Sequence, residues 1–168
     1  MRNIEVKVRL TEYREALEIV SSLTGQKPLQ LKQVDTYFKT TNGRLKLREE
    51  VGQSELIFYI RPNQPESKRS DYLRVPVLEP DKLKDVLARA LSVDVVVEKT
   101  RNLFFQGSIR IHIDEVRRLG HFLEVEVPVD DVDSEKSAHA AIKTLLSDLP
   151  GVSESISVSY SDMLRESL

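Results

Sequence analysis

The chain of 168 residues contains no cysteine, which removes disulfides, thiolate metal sites and cysteine nucleophiles from consideration. It also lacks a basic excess. Its 25 Lys and Arg stand against 27 Asp and Glu, for a formal net charge of -2. A general nucleic-acid binder normally carries such an excess, so no nucleic-acid partner is expected. No apolar run approaches the length of a membrane span, and the N-terminus shows no apolar segment of the signal-peptide kind. The expectation is a cytoplasmic protein with no membrane partner. Internal repeats, low-complexity tracts and linkers are missing too. The length suffices to bury a core without staples, which predicts one domain over 1–168.

What the sequence does have is charge, at 31% of residues beside 40% hydrophobic ones. The opening stretch Arg2 to Leu10, RNIEVKVRL, shows how the charge is laid out. At a period of two, Ile4, Val6, Val8 and Leu10 share one face; Asn3, Glu5, Lys7 and Arg9 share the other. This is a strand with one apolar and one charged side.

Seven further strand-like stretches follow: Leu29–Thr41, Arg44–Glu50, Glu55–Arg61, Lys68–Leu78, Val93–Gln106, Ser108–Glu115 and Gly120–Val129. Asn42-Gly43 is a strong hairpin signal between the second and third strands. Helices are predicted from Glu12 to Leu23 with Thr11 as N-cap, from Pro80 to about Ala90, and from Ser134 as cap to Leu146. The segment SYSDML near the C-terminus fits a short strand or helix. The expected class is α+β, with about eight strands in mainly antiparallel hairpin order and three or four helices.

The pattern of the first strand recurs. Arg44, Lys46 and Arg48 oppose Leu45 and Leu47; Arg110, His112 and Asp114 oppose Ile109, Ile111 and Ile113; Glu124 and Glu126 oppose Leu123, Val125 and Val127. Lys99 and Arg101 share a face, and Arg61 lies on the face of Glu55, Ile57 and Tyr59. For any one strand the simple explanation is the wet side of an antiparallel sheet. Together the faces are unusually pure and sort by sign, with cations on some strands and carboxylates on Glu124 and Glu126. A sheet curled around a charged cavity, its apolar outer face covered by helices, explains both features. An eight-stranded barrel has room for one small ligand. Many inward cations without partners would be prohibitively desolvated, so the ligand must bring several negative charges, as a triphosphate does. Carboxylates in the same cavity then call for a hard divalent cation, Mg²⁺ or Mn²⁺.

The chain resembles the CYTH family of triphosphate tunnel enzymes, which includes class IV adenylate cyclases and thiamine triphosphatases. NIEVK resembles the family's E-x-E-x-K signature. VDTYF at 34–38, GRLKLRE at 43–49, KRSDY at 68–72, VEKTR at 97–101, IRIHIDEV at 109–116 and LGHFLEVEV at 119–127 also match, in the family's order. The resemblance implies an eight-stranded antiparallel β-barrel forming a tunnel with helices packed outside, and divalent-metal-dependent action on triphosphates. It implies Glu5, Glu124, Glu126 and Asp114 as metal-binding acids, and Lys7, Arg9, Arg44, Lys46, Arg48, Arg61, Lys99, Arg101 and Arg110 as phosphate-binding cations. Glu5, Lys7 and Glu126 are the implied catalytic residues. Asn3 stands where the family signature has its first glutamate; it offers a carbonyl ligand but removes one negative charge.

Three functions share such a tunnel. A phosphohydrolase acting on a nucleoside, organic or inorganic triphosphate attacks the terminal phosphorus with water. An adenylate cyclase attacks the α-phosphorus with the ribose 3′-hydroxyl and needs a purine site, which no sequence feature marks. A sensor binds a triphosphate or polyphosphate without turnover. Among further residues, His112 is a candidate phosphate contact or proton carrier, or a hydrogen-bonded spacer. Asp35 and Tyr37 are candidates for the lining. Lys68, Arg69 and Tyr72 are candidates for one mouth, and Tyr160 and Asp162 for a cover over the entrance. His121 and His139 read as surface residues. A homodimer is compatible with the sequence, although no apolar stripe marks its interface.

Overall fold

The computed structural model describes residues 2–60 and 71–167. Arg61, Lys68, Arg69 and the side chain of Tyr72, all expected near the site, lie outside what it describes. The elements are β1 (Arg2–Leu10), α1 (Tyr13–Thr24), β2 (Leu29–Phe38), β3 (Arg44–Glu50), β4 (Gln53–Ile60), β5 (Asp71–Pro76), α2 (Pro80–Leu91), β6 (Val93–Gln106), β7 (Ile109–Val116), β8 (Gly120–Val129), α3 (Val132–Ser147), β9 (Val152–Ser155) and α4 (Tyr160–Glu166). The class is α+β, as expected. No described helix is long and apolar enough to cross a membrane.

The nine strands form one antiparallel sheet in the order β5-β4-β3-β2-β6-β7-β8-β1-β9. Eight strands were expected; the ninth, β9, pairs with β1 at Val8 and Leu10 on the side away from β8. Among the described residues β5 and β9 are the two edges, and no pairing closes the sheet into a barrel. The sheet nonetheless curls, because inner-face residues of every strand from β1 to β8 line one cavity.

Alternation decides which side chains reach the core. Val8, Leu10, Phe104, Ile111, Ile113, Leu123, Val125, Val127 and Val129 point outward from β1, β6, β7 and β8. They are covered by Ala16 and Val20 of α1 and by Ala138, Ile142 and Leu145 of α3. Each fully buried aliphatic or aromatic side chain here contributes about 1.5–3 kcal/mol of transfer free energy. A second cluster lies on the opposite, inner face at one end of the cavity. Tyr37, Ile57, Tyr59, Val95, Val97, Val116 and Phe122 meet Tyr160, Met163 and Leu164 of α4 there. The short C-terminal helix therefore sits inside the curl of the sheet, while α1 and α3 sit outside it.

Several boundaries differ from the sequence expectation for local reasons. Thr11 does not cap α1; its N–H and hydroxyl both donate to the Gly151 carbonyl, tying the end of β1 to the β9 region. The α3 cap is Asp131 rather than Ser134. Its carboxylate accepts from the Ser134 N–H at 2.8 Å, and the Ser134 hydroxyl in turn accepts from the Asp131 N–H. Strand β2 ends at Phe38, so residues 39–43 form a longer loop than a two-residue hairpin. Gly43 has φ +66°, and a Cβ there would stand 2.8 Å from the Phe58 ring and 2.9 Å from the Tyr59 carbonyl. Only glycine fits that turn.

Candidate functional site

The cavity lined by the inner face of the curled sheet is open to one side and measures about 1160 Å³. Glu5 and Lys7 reach it from β1, Lys46 and Arg48 from β3, Lys99 and Arg101 from β6, Arg110 and His112 from β7, and Glu124 and Glu126 from β8. Strict alternation puts them all on one face, and the in-register pairs Lys7↔Glu124, Glu5↔Glu126, Arg110↔Glu126 and His112↔Glu124 bring them together across strands.

Three candidates take other places. Arg9 shares the face of Glu5 and Lys7 but lies beyond the cavity wall. Its guanidinium donates to the Leu119 carbonyl at 3.0 Å, approaches the Met163 sulfur at 3.7 Å and stacks over Phe122. Arg44 grips α4 instead, donating to the Ser159 hydroxyl at 2.9 Å and to both oxygens of Asp162 at 3.1 and 2.9 Å. Asp114 is fully buried behind the lining. It holds the Arg101 guanidinium by two parallel bonds of 2.8 and 2.7 Å, accepts from the Tyr160 hydroxyl at 3.1 Å and lies 3.5 Å from the Lys99 ammonium.

The charges are interleaved rather than sorted onto opposite walls. Asp35 accepts from Lys46 at 2.7 Å and from Arg48 in a two-pronged contact at 2.7 Å. Lys7 pairs with Glu124 at 3.1 Å, and Arg110 with Glu126 at 2.7 Å. An unpaired ion buried in this cavity would cost several kcal/mol, which is why cations face acids across the strands.

Protonation follows from the same contacts. Burial by itself would raise the carboxyl pKa of Asp35, but Lys46 and Arg48 outweigh it and hold the group well below the usual range. Glu124 is likewise pushed up by burial and pulled further down by Lys7, Arg101 and His112. Lys99 goes the other way. Burial, with Arg101 nearby, lowers its ammonium to about 7, and Asp114 only partly restores it. Burial raises the Tyr37 and Tyr59 hydroxyls to about 12, so both remain neutral donors.

One group of donors converges as a cation site requires. His112, Glu124 and Glu126 each offer one ligand atom, all lying within 4.8 Å of one another. Glu5 faces Glu126 directly across β1 and β8. Carboxylate oxygens with one imidazole suit a divalent cation, so the residues fit the expected metal.

Other lining residues were not anticipated: Leu31, Gln33, Tyr59, Arg74, Leu103, Phe105 and Ser159. Leu31 and Gln33 continue the alternation of Asp35 and Tyr37 along β2, and Leu103 and Phe105 that of Lys99 and Arg101 along β6. Parity was the signal that locates them. His121 is not simply a surface residue; it is the second residue of β8 and stacks on the Tyr13 ring with centroids 4.2 Å apart.

The comparisons with known proteins agree with this architecture. The CYTH domain model matches residues 1–160. The chain belongs to the CYTH domain family. A Methanocaldococcus jannaschii protein named "Putative adenylate cyclase MJ0240" is 21% identical over 179 residues, covering 99% of this chain and 96% of its own. The PH1819 protein from Pyrococcus horikoshii OT3 superposes with a TM-score of 0.78 at 23% identity, over 99% of both chains. The Hippeastrum protein HpAC1, described as an adenylyl cyclase candidate with a dominant triphosphatase activity, superposes with a TM-score of 0.71 at 15% identity, over 99% of this chain and 96% of its own.

Proposed function

We propose that this protein is a divalent-metal-dependent triphosphatase acting on a triphosphate held inside the curled sheet. The observation that carries the reading is the meeting, in one cavity, of a cation cage (Lys7, Lys46, Arg48, Lys99, Arg101, Arg110) with a carboxylate and imidazole cluster (Glu5, His112, Glu124, Glu126). Family membership and the activity described for HpAC1 support it. The tunnel is part of the same proposal: strands β1 to β8 surround the cavity, and α4 fills one end.

Glu5, Glu124 and Glu126 are the residues that would hold Mg²⁺ or Mn²⁺, which supplies neutralisation of phosphate charge and activation of water. The protein's own contribution is positioning. Asp35 fixes Lys46 and Arg48, and Asp114 fixes Arg101, so that the cationic groups meet a triphosphate already oriented. Preoriented donors in a water-poor site stabilise developing charge far better than mobile ones. Arg101 and Arg48 engage phosphate oxygens through planar forks, and Lys7, Lys46 and Lys99 act as point charges. The Glu126 carboxylate, oriented by Arg110 at 2.7 Å, would accept the proton of the attacking water. Tyr160 and the apolar cluster beneath α4 exclude solvent from the closed end.

Adenylate cyclase is the second reading. Leu31, Leu103 and Phe105 line the same cavity, with Leu31 opposite Arg101 and Phe105 opposite Arg110, and support a place for a base beside the cation cage. Phosphate release from ATP, thiamine triphosphate and inorganic tripolyphosphate with Mg²⁺ or Mn²⁺ tests the hydrolase. Cyclic AMP formation measured in parallel separates the cyclase. Tight binding without either product would replace both with a triphosphate or polyphosphate sensor.

A further inference from the structure

Residue His112 occupies a position that the carboxylate set alone does not need. It stands on β7 between Arg110 and Asp114, directly opposite Glu124 on β8, with the ring buried. Its Nδ1 lies 3.3 Å from one Glu124 oxygen and 3.9 Å from one Glu126 oxygen. Two ligands at about 2.1 Å from a common ion stand roughly 3–4 Å apart. The two His112 distances, the shorter of them a hydrogen bond, match the spacing of ligands to one cation, and the two carboxylates come within 4.8 Å of each other.

We propose that His112 is a nitrogen ligand to the divalent ion held with Glu124 and Glu126, and that it tunes the site toward later first-row dications such as Co²⁺ and Zn²⁺ over Mg²⁺. Mg²⁺ favours an all-oxygen octahedral shell and keeps several waters, whereas an imidazole nitrogen raises affinity along the first transition row. The surrounding charges suit a dication that arrives with phosphate. Lys7 and Arg101 contact Glu124, Arg110 contacts Glu126, and Glu5 faces Glu126 from β1. These cations offset the nearby carboxylates, so anionic phosphate oxygens bound alongside favour occupancy. The inference deepens the triphosphatase reading but is measured independently of turnover.

Two measurements on the full chain test it, each made with metal alone and with inorganic tripolyphosphate added. Pulsed electron paramagnetic resonance on the Mn²⁺ form should show nitrogen coupling from a directly bound imidazole, lost in His112→Gln. Competition titration should show the Co²⁺-to-Mg²⁺ affinity ratio falling about 10- to 100-fold in His112→Gln, the range over which ligand-shell changes alter metal affinity. His112→Cys carries the same test should the glutamine variant fold poorly: it should lose the nitrogen signal yet keep the Co²⁺ preference through its thiolate. Absence of nitrogen coupling in the wild-type protein under both conditions, an affinity ratio unchanged in His112→Gln, or nitrogen coupling that persists in His112→Cys overturns the proposal. Nitrogen coupling without hydrolysis of any triphosphate would sink the triphosphatase reading and leave this site. Hydrolysis without nitrogen coupling would do the reverse.

Discussion

Arg101 on β6 and Asp114 on β7 are exact cross-strand partners and share two parallel hydrogen bonds of 2.8 and 2.7 Å, both side chains inside the protein. Lys99 and Tyr160 also lean on the same carboxylate. Removing its charge leaves the buried Arg101 guanidinium with only the longer 3.4 Å contact to Glu124. Asp114→Asn keeps the shape and should destabilise the protein by about 3–5 kcal/mol, the usual result of breaking a buried pair from one side. Urea denaturation reads this directly, and an unchanged midpoint would refute the pairing as a structural element.

The depressed Lys99 ammonium makes stability depend on pH in a defined direction. Its pKa is lowered from 10.5 to about 7 in the folded protein. Between those values the unfolded chain binds more protons than the folded one, so this group makes stability rise with pH. Below about pH 7 the penalty of a charged, buried Lys99 is fully present; above about pH 10.5 it is gone. Lys99→Met should stabilise the unliganded protein, most at pH 6 and least at pH 10. A gain of equal size at both values would contradict the shift.

Asp162 latches α4 through Arg44, through Arg165 at 2.6 Å and through its own cap at Ser159. Burial pulls its carboxyl pKa up, but the Ser159 hydrogen bonds and Arg44 pull it down further, and the net shift is downward. The latch is therefore complete above the ordinary carboxylate range and weakens as pH falls through the lowered value. Asp162→Asn should speed hydrogen exchange of the 160–166 amides about tenfold near neutrality, equivalent to about 1.4 kcal/mol of local stability. The variant and the wild type should converge in acid. Exchange rates that match at pH 7 would count against the latch.

Glu126→Gln should abolish metal-dependent phosphate release, by more than about 100-fold, while leaving the fold intact. The Arg110–Glu126 pair is partly exposed, so losing it should change stability by no more than about 1 kcal/mol. Steady-state rates with thermal melting as the control check this. Full activity in the variant would remove Glu126 from the site.

Much of the fold was legible because alternation is a local property. Glu5 and Lys7, Lys46 and Arg48, and Glu124 and Glu126 each fall on the cavity side by strand parity alone. Charge sorting was read less well, since the partner of a cation is set by register between strands. Asp35 meets Lys46 and Arg48, and Asp114 meets Arg101, only through pairings that no single stretch encodes. The same limit applies to Arg9 and Arg44, which have the right parity but stand at the end that α4 fills.

By itself the sequence determined the class of elements, the faces of the strands and the charged character of the inner side, because a period of two needs only near neighbours. The curl of the sheet, the direction of α4 into its hollow and the convergence of His112 on Glu124 and Glu126 were decided by the tertiary structure. They depend on packing between segments far apart in the chain, where burial makes each charge find a partner.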